Sequence, residues 1–261
     1  MYQTYEGDSL DLDPGSPFFE DHVARYWWAA SMAQGLRVLD VGCGKGYGTA
    51  ILSKTASEVL GLDLNPQSLA EARKHFETPK TQFESQDVTR PAPSLGKFDL
   101  ITAFEVIEHL PPSLTDDFLL GLGRLLTPQG RLLLSTPNHD IVTLSGVHIP
   151  AFHINNFEAS RLRRVLSNHF EDVELLGQFK LRPLLEQALF NIDFLNLRHR
   201  LKRRDHRPSP KQTPTRKNNP KPTISAFLTH PPTFVARYRF SPWRWRQAGL
   251  TVAACKNPRL S

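Results

Sequence analysis

Residues 38–48 read Val-Leu-Asp-Val-Gly-Cys-Gly-Lys-Gly-Tyr-Gly, an apolar strand that passes through an acidic residue into a glycine-rich turn. Glycine lets the backbone turn tightly and lets a ligand approach the main chain without a Cβ in the way. A helix that begins after such a turn offers unpaired amides and a partial positive charge at its N-terminus. The segment therefore predicts a strand, a ligand-binding turn and a helix in that order.

The spacing of the glycines excludes two common nucleotide-binding motifs. A dinucleotide site needs Gly-x-Gly-x-x-Gly, but Tyr47 or Thr49 falls at the third glycine position, depending on the register. The turn also lacks the Lys-Ser/Thr ending of a phosphate-binding loop. Asp40, directly before the turn, would repel a pyrophosphate and suits a cationic group such as an α-ammonium.

Outward from this turn, strand-like and helix-like patterns alternate. Near-continuous apolar runs are typical of strands that are buried on both faces of a sheet. They lie at 36–41, 58–63, 98–104, 131–136 and 172–177, with a weaker run near 82–85 and a last one at 250–256. The alternation predicts an α/β fold with a doubly wound, mostly parallel sheet.

Two further acids follow predicted strands and extend the ligand site. Asp63 ends the second strand, 21 residues beyond Gly42, where a carboxylate binds ribose hydroxyls. Asp87 follows the third strand region, where it could accept a hydrogen bond from an adenine amino group. Together with Asp40, these positions imply a ligand with an amino-acid end, a ribose and an adenine.

At this point the chain resembles the class I S-adenosylmethionine-dependent methyltransferases. The resemblance rests on ordered motifs: VLDVGCGKGYGT, GLDLN, SQDV, FDLITAFEVIEHL and LLTPQGRLLLSTPN. It covers about residues 18–177 plus the last strand, and it implies a seven-stranded Rossmann-like sheet and S-adenosylmethionine (SAM) as cofactor. The segment SPFFEDHVARYWWAA also looks like the N-terminal cap helix of that family.

The resemblance assigns the parts of SAM to individual residues. It implies that Asp40, Gly42, Gly44 and Gly46 form the loop at the methionine end. It further implies that Asp63 binds the ribose, Leu64 packs on the adenine, Asp87 and Val88 contact the adenine edge, and Phe104 closes the site.

Glu105, Glu108 and His109 follow the fourth predicted strand at positions that share one face if the segment is helical. Two carboxylates and an imidazole could bind a divalent metal. The pattern resembles the Glu-x-x-Glu-His of metal-dependent small-RNA 2′-O-methyltransferases, which use a further histidine; the candidates are His139, His148 and His153. FEVIEHL is equally similar to many methyltransferases without a metal, so we expect no metal and residues that shape the pocket.

The acceptor side of the site is expected after the fifth strand, where open α/β sheets bind ligands. In similar methyltransferases a histidine at the place of His153 faces the substrate. We therefore expect His153 to line the pocket or act as a general base, and Glu105 to serve the same catalytic site. A base is needed only where the acceptor is a hydroxyl that must lose its proton.

The charge of the chain is concentrated in one segment. Residues 198–221 contain ten basic residues and one acid, a net +9, which leaves −3 for the rest of a chain whose total is +6. We expect domain boundaries at 1–35 (cap helix region), 36–178 (SAM-binding core), 179–249 (amphipathic helix and basic insertion) and 250–256 (final strand). The basic segment is either ordinary solvated surface or a functional part of the insertion. Of the functional interpretations, a lid over the acceptor site with a peripheral contact to an anionic membrane is preferred. No nucleic-acid partner is expected, since no recognised module for one is visible.

The sequence thus predicts a methyltransferase that acts on a hydroxyl of a saccharide, a lipid-linked glycan or a small metabolite, a preference that comes from the resemblance. Two alternatives are a metal-dependent RNA 2′-O-methyltransferase and a noncatalytic SAM-binding protein that docks on membranes. Two cysteines and a polar, acidic N-terminal segment favour a cytoplasmic protein, with membrane association through the insertion.

Overall fold

The computed structural model describes residues 19–145, 149–180, 228, 230–231, 235, 238–241 and 250–259. The predictions for residues 1–18, for the amphipathic helix and basic segment 198–221, and for His148 lie outside the described residues. Within the described residues, no helix is both long enough and apolar enough to cross a membrane.

A single mixed sheet runs through the described core. Its strands are β1 (Arg37–Val41), β2 (Glu58–Leu62), β3 (Thr81–Glu84), β4 (Phe98–Phe104), β5 (Leu126–Pro137), β6 (Phe170–Lys180), β7 (Tyr238–Ser241) and β8 (Leu250–Pro258). They lie in the order β3-β2-β1-β4-β5-β8-β6-β7. The five strands from β3 to β5 are parallel, whereas β8 pairs antiparallel with both β5 and β6. The predicted doubly wound α/β fold is confirmed.

Helices cover this sheet and connect its strands. They are α1 (Phe19–Ala30), α2 (Tyr47–Leu52), α3 (Pro66–Phe76), α4 (Thr115–Leu125), α5 (His139–Ser145) and α6 (Ala159–His169). The beginning of α3 shows how local sequence fixes the start of a helix. The Asn65 side chain accepts hydrogen bonds from the amides of Gln67 and Ser68, and Pro66 occupies the first helical position.

The described residues form eight strands where the sequence predicted seven. The additional strand, β7, pairs antiparallel with the end of β6 and lies within the predicted insertion 179–249. Its four residues carry no alternating pattern long enough to be recognised, and long-range contacts hold it in place. The Phe240 ring stacks on Trp28 of α1 at 4.2 Å, and the Tyr238 hydroxyl donates to Asp21.

Helix α1 packs beside α2 and against the sheet, next to the glycine-rich turn. Its buried side chains form a core cluster with residues of α2, β1 and β4. Contact between the two helices is close at Gly48, where a Cβ would lie 2.1 Å from the Tyr26 ring. Glycine at this position therefore lets α1 lie directly against the helix that follows the glycine-rich turn.

Candidate functional site

The glycine-rich turn lies where β1 ends, at the edge of the sheet where the parallel strands finish (the carboxyl edge). Gly42, Gly44 and Gly46 have φ angles of 70°, 52° and 83°, a region that strongly favours glycine. A Cβ on Gly42 or Gly46 would collide with neighbouring side chains, whereas nothing lies within 4 Å of the position a Cβ on Gly44 would take. Gly44 therefore leaves open space where a ligand can approach the backbone.

Asp40 is fully buried beneath this turn and accepts three hydrogen bonds from hydroxyl groups. Its Oδ1 accepts from Thr102 at 2.8 Å and from Tyr26 at 3.1 Å, and its Oδ2 accepts from Thr49 at 2.7 Å. Burial raises the pKa of Asp40 to about 6, although these hydrogen bonds act in the opposite direction. Asp40, at the end of β1, thus connects α1, α2 and β4 under the turn. No contact of Asp40 with a ligand is tested by this arrangement, so that contact stays a prediction.

The raised pKa predicts a pH-dependent difference in stability between the chain and an Asp40→Asn variant. The folded carboxyl binds its proton near pH 6, whereas the unfolded one does so near its ordinary value of 3.8. The free energy of unfolding of the chain relative to the variant should therefore rise by about 1–3 kcal/mol as the pH falls from 6 to 4. Urea unfolding of both proteins across this range measures the difference, and a difference that does not change with pH would contradict the burial argument.

Asp63 follows β2 and is half-buried at the same edge, next to the glycine-rich turn. Its Oδ2 accepts a hydrogen bond from the Gly44 amide at 2.8 Å, and its Oδ1 accepts from the Asn65 amide at 2.8 Å. The carboxylate thus fixes the turn at Gly44 relative to the beginning of α3. The two predicted ligand segments therefore lie next to each other. The contact of Asp63 with ribose remains a prediction.

The residues predicted to contact adenine differ in exposure; they are Leu64, Asp87 and Val88. Leu64 is one of two large hydrophobic side chains that are exposed among the described residues, at 45% of its surface. Asp87 is half-buried and accepts a hydrogen bond from the Thr89 amide at 2.9 Å, while the side chain of Val88 is buried in the core. An exposed leucine directly after Asp63 is a fitting surface for the flat apolar face of an adenine.

Phe104 ends β4, but its ring is buried against α1. It lies edge-on to Tyr26 at 5.1 Å, and the Arg25 guanidinium is 5.4 Å from the ring centre. The ring therefore helps to hold α1 in place, and its predicted role in closing the site is untested.

The segment that contains Glu105, Glu108 and His109 is not one helix, so the condition under which the three side chains would share a face is not met. Glu105 has a φ of 57°, which turns the chain sharply after β4, and only Ile107–His109 form a single 3-10 turn. The Glu105 side chain points to Arg25 of α1 at 3.3 Å, and it accepts a hydrogen bond from the Ser135 hydroxyl at 2.8 Å. Its partner Arg25 is 2% exposed, so this is a nearly buried ion pair.

His153 lies in the loop that contacts the turn after β4. Its loop is held there by the Asn155 amide, which donates to the Glu108 carbonyl at 3.0 Å. The rings of His153 and His109 are 4.9 Å apart, edge to face. Burial, and then the neighbouring His109, lower the pKa of His153 to about 4. The structure therefore places a half-buried, neutral imidazole at the carboxyl edge; of the other candidates, His139 begins α5 and His148 is not described.

The sequence did not reveal the residues of α1 that support the site. Arg25 donates to Glu105, to Ser135 and, through Nε, to Gln178 of β6, and Tyr26 reaches Asp40. The signal available in the sequence was an arginine and a tyrosine within an otherwise apolar helix, which indicates that their polar ends find partners. Which partners they find depends on long-range packing.

These features fit SAM as the ligand. The carboxyl edge offers open space at Gly44 for the methionine part of SAM. It then offers a carboxylate at Asp63 for the ribose and an exposed apolar side chain at Leu64 for the adenine. The amides at the beginning of α2 also lie at this edge, directly after Gly46.

Comparisons with known proteins agree with this reading. A family model described as a methyltransferase domain matches residues 38–130. A probable SAM-dependent methyltransferase of Mycolicibacterium smegmatis is 32% identical, over 62% of this chain and 62% of that protein. A ubiquinone biosynthesis O-methyltransferase of Nitrosococcus oceani is 35% identical, over 51% of this chain and 55% of that protein. The chain spans about three fifths of the length of the first of these curated relatives.

Solved structures show the same fold at low sequence identity. The N-methyltransferase NodS of Bradyrhizobium japonicum in complex with S-adenosyl-L-homocysteine (SAH) is 16% identical, covers 66% of this chain and 83% of its own, and has a TM-score of 0.52. A putative methyltransferase of Haloferax volcanii, solved with the Trm112 methyltransferase activator, is 15% identical, covers 93% and 92%, and has a TM-score of 0.56. The glycine-rich turn, the ordered motifs and the family match over residues 38–130 together support the assignment of this chain to the class I SAM-dependent methyltransferases.

Proposed function

We propose that this chain transfers a methyl group from SAM to a hydroxyl oxygen of a saccharide, a lipid-linked glycan or a small metabolite. The observation that carries the proposal is the position of His153, whose loop is hydrogen-bonded to the turn after β4 at the carboxyl edge. The relatives named as ubiquinone biosynthesis O-methyltransferases, which methylate oxygen by their name, support a hydroxyl acceptor.

Methyl transfer to a hydroxyl needs the acceptor oxygen aligned with the methyl group, and it needs the hydroxyl proton removed. When bound, SAM supplies a methyl group that is already activated by the sulfonium, so correct placement of the acceptor accounts for much of the rate. A hydroxyl acceptor must also lose its proton as it becomes the nucleophile. In this proposal, the lone pair of the neutral His153 imidazole receives that proton.

Glu105 takes a supporting part in this proposal. Its carboxylate is fixed by Arg25 and Ser135, and its backbone amide donates to the Ser135 carbonyl at 3.1 Å. It therefore keeps the turn between β4 and the Ile107–His109 segment in one conformation. A direct contact between Glu105 and the acceptor stays a prediction.

Replacing His153 by alanine should lower kcat for methyl transfer by about 10²–10⁴-fold, the usual contribution of a positioned acid or base. The affinity for SAH should stay unchanged, because His153 is not among the residues that surround Gly44 and Asp63. The matched control is His75→Ala, which removes an exposed histidine from α3. Equal rates for His153→Ala and the unaltered chain would contradict the assignment.

The acceptor class can be identified with methyl-labelled SAM and cell extract separated into glycans, lipids, small metabolites and RNA. We expect label in a glycan, lipid or small-metabolite fraction, in a bond that resists mild hydrolysis as an ether does. Label in RNA alone would favour the RNA 2′-O-methyltransferase alternative. SAM binding without formation of SAH in any fraction would favour a noncatalytic binding protein.

A further inference from the structure

We propose that Tyr26 of α1 is a positioning residue of the SAM site, and that it acts by keeping the buried carboxylate of Asp40 charged and fixed in place. The family model matches residues 38–130, so α1 lies outside that match. The proposal rests on SAM as the methyl donor of the proposed function, but not on the identity of the acceptor.

Tyr26 contacts three segments that meet beneath the glycine-rich turn. Its hydroxyl donates to Asp40 Oδ1, at the end of β1, over 3.1 Å. Its ring lies edge-on to Tyr47 at the beginning of α2 and to Phe104 at the end of β4, with ring centres 5.7 Å and 5.1 Å away. Because Tyr26 is only 4% exposed, these contacts fix both its ring and its hydroxyl.

The packing of α1 on α2 leaves room for this arrangement of the Tyr26 ring. A Cβ on Gly48 would lie 2.1 Å from the ring, so the ring fills the space directly against α2. His22 lies one turn earlier on the same face of α1, and its Nδ1 is 3.1 Å from the Tyr47 hydroxyl. Burial lowers the pKa of His22, so this second contact is between neutral groups.

The charge of Asp40 depends on the hydroxyl groups that donate to it. Burial disfavours a charged carboxylate, and the three hydrogen bonds oppose this effect, which leaves the pKa of Asp40 at about 6. Two of the donors, Thr49 and Thr102, belong to α2 and β4, whereas Tyr26 comes from α1. Without the Tyr26 hydroxyl the pKa of Asp40 should rise further, so a part of the molecules would carry a neutral Asp40 at pH 7.

The other ionisable groups that face Asp40 do not replace this hydrogen bond. Burial raises the pKa of the Cys43 thiol in the turn and of the Tyr47 phenol in α2, so both are neutral at pH 7. Asp63, which follows β2, carries a like charge that raises the pKa of Asp40. The guanidinium of Arg25 in α1 donates to the turn after β4. The hydroxyl of Tyr26 is therefore the means by which α1 stabilises the charge of Asp40.

A negative charge beneath the turn favours a ligand that brings a positive charge to it. Asp63 accepts a hydrogen bond from the Gly44 amide and is close enough to Asp40 for the two charges to interact. The charge of Asp40 therefore acts on the open space at Gly44, where the methionine end of SAM is expected. The α-ammonium group of the ligand should bind more weakly when Asp40 is neutral, because solvent screens buried charges little.

Calorimetric titration with SAH between about pH 5 and pH 8.5 tests the proposal, because SAH keeps the α-ammonium group, the ribose and the adenine. For the unaltered chain, SAH affinity should fall as the pH decreases through about 6. In Tyr26→Phe the fall should begin about 1–2 pH units higher, the effect of one hydrogen bond to a charged group. SAH affinity should then be about 2–15-fold lower at pH 7 and within about twofold of the unaltered chain at pH 8.5.

The choice of variants separates the hydroxyl from the fold. Tyr26→Phe keeps the buried ring, whereas Tyr26→Ala would leave a large cavity, and circular dichroism checks that the variant is folded. Tyr238→Phe is the matched control, because the Tyr238 hydroxyl also donates to an aspartate of α1, Asp21, but comes from the edge strand β7. This control should bind SAH as the unaltered chain does at every pH. In an Asp40→Asn chain, adding Tyr26→Phe should change SAH affinity by less than about twofold.

Either of two results would overturn the proposal. The first is an SAH affinity that Tyr26→Phe leaves unchanged over the whole pH range. The second is a loss of the same size at every pH, which would mean that Tyr26 supports the fold of the turn and not the charge of Asp40. A failure of methyl transfer to hydroxyl acceptors would count against the proposed function alone, since the titration contains no acceptor.

Discussion

Replacing Arg25 by alanine should lower the free energy of unfolding by about 3–5 kcal/mol, because it leaves a mostly buried carboxylate without its partner. The Arg25 side chain is 2% exposed and that of Glu105 is 19% exposed. The same guanidinium also donates to Ser135 at 2.9 Å and to Gln178 at 3.0 Å. One substitution therefore removes a polar contact of α1 with β5, another with β6 and a third with the turn after β4.

Urea unfolding, followed by the fluorescence of Trp27 and Trp28 in α1, measures this loss. Lys180→Ala is a matched control, because the ion pair of Lys180 with Glu20 also joins α1 to β6 but is well exposed at both ends. Exposed pairs contribute about 0–1 kcal/mol. The double variant Arg25→Met/Glu105→Gln should recover part of the stability, since it removes both charges. Equal losses in Arg25→Ala and Lys180→Ala would contradict the assignment.

Replacing Asp63 by alanine should weaken SAM binding by about 10–150-fold. The variant lacks the carboxylate that accepts a hydrogen bond from the Gly44 amide and thereby fixes the turn. It also lacks the predicted contact of that carboxylate with ribose. A hydrogen bond to a charged group contributes about 1.5–3 kcal/mol. Because the side chain is only half-buried, the fold should survive the change.

Calorimetric titration with SAM measures the effect, with Glu84→Ala as the control. Glu84 ends β3, next to the Asp63 backbone, and its exposed side chain has no part in the proposed site. Asp63→Asn keeps one oxygen acceptor and should fall between the unaltered chain and the alanine variant. Unchanged SAM affinity in Asp63→Ala would mean that the ligand lies elsewhere.

The sheet was largely predictable from the sequence because its central strands are buried on both faces. Strands such as Phe98–Phe104 are nearly uninterrupted runs of apolar residues, which few other structures tolerate. The glycine-rich turn was predictable as well, since three of its residues need positive φ. The edge strand Tyr238–Ser241 was not, because its place depends on Trp28 and Asp21, more than 200 positions earlier in the sequence.

The two sides of the site differ in the same way. Gly44 and Asp63 follow two strands that the sequence pattern makes recognisable. Because these strands are adjacent and parallel, the two residues lie together at the carboxyl edge. On the side after β4 and β5, a helix would have placed Glu105 beside Glu108. A left-handed backbone conformation instead turns Glu105 to Arg25, 80 positions away. The approach of His153 to His109 likewise depends on the backbone hydrogen bond between Asn155 and Glu108, for which the sequence contains no periodic signal.

The most direct test of the central claim is a calorimetric titration of the unaltered chain with SAH. A SAM site at Gly44 and Asp63 predicts one SAH bound per chain, with an affinity about 10–150-fold lower in Asp63→Ala but not in Glu84→Ala. A folded chain that binds neither SAM nor SAH, or binds both equally well after Asp63→Ala, would contradict the assignment of this edge as the cofactor site.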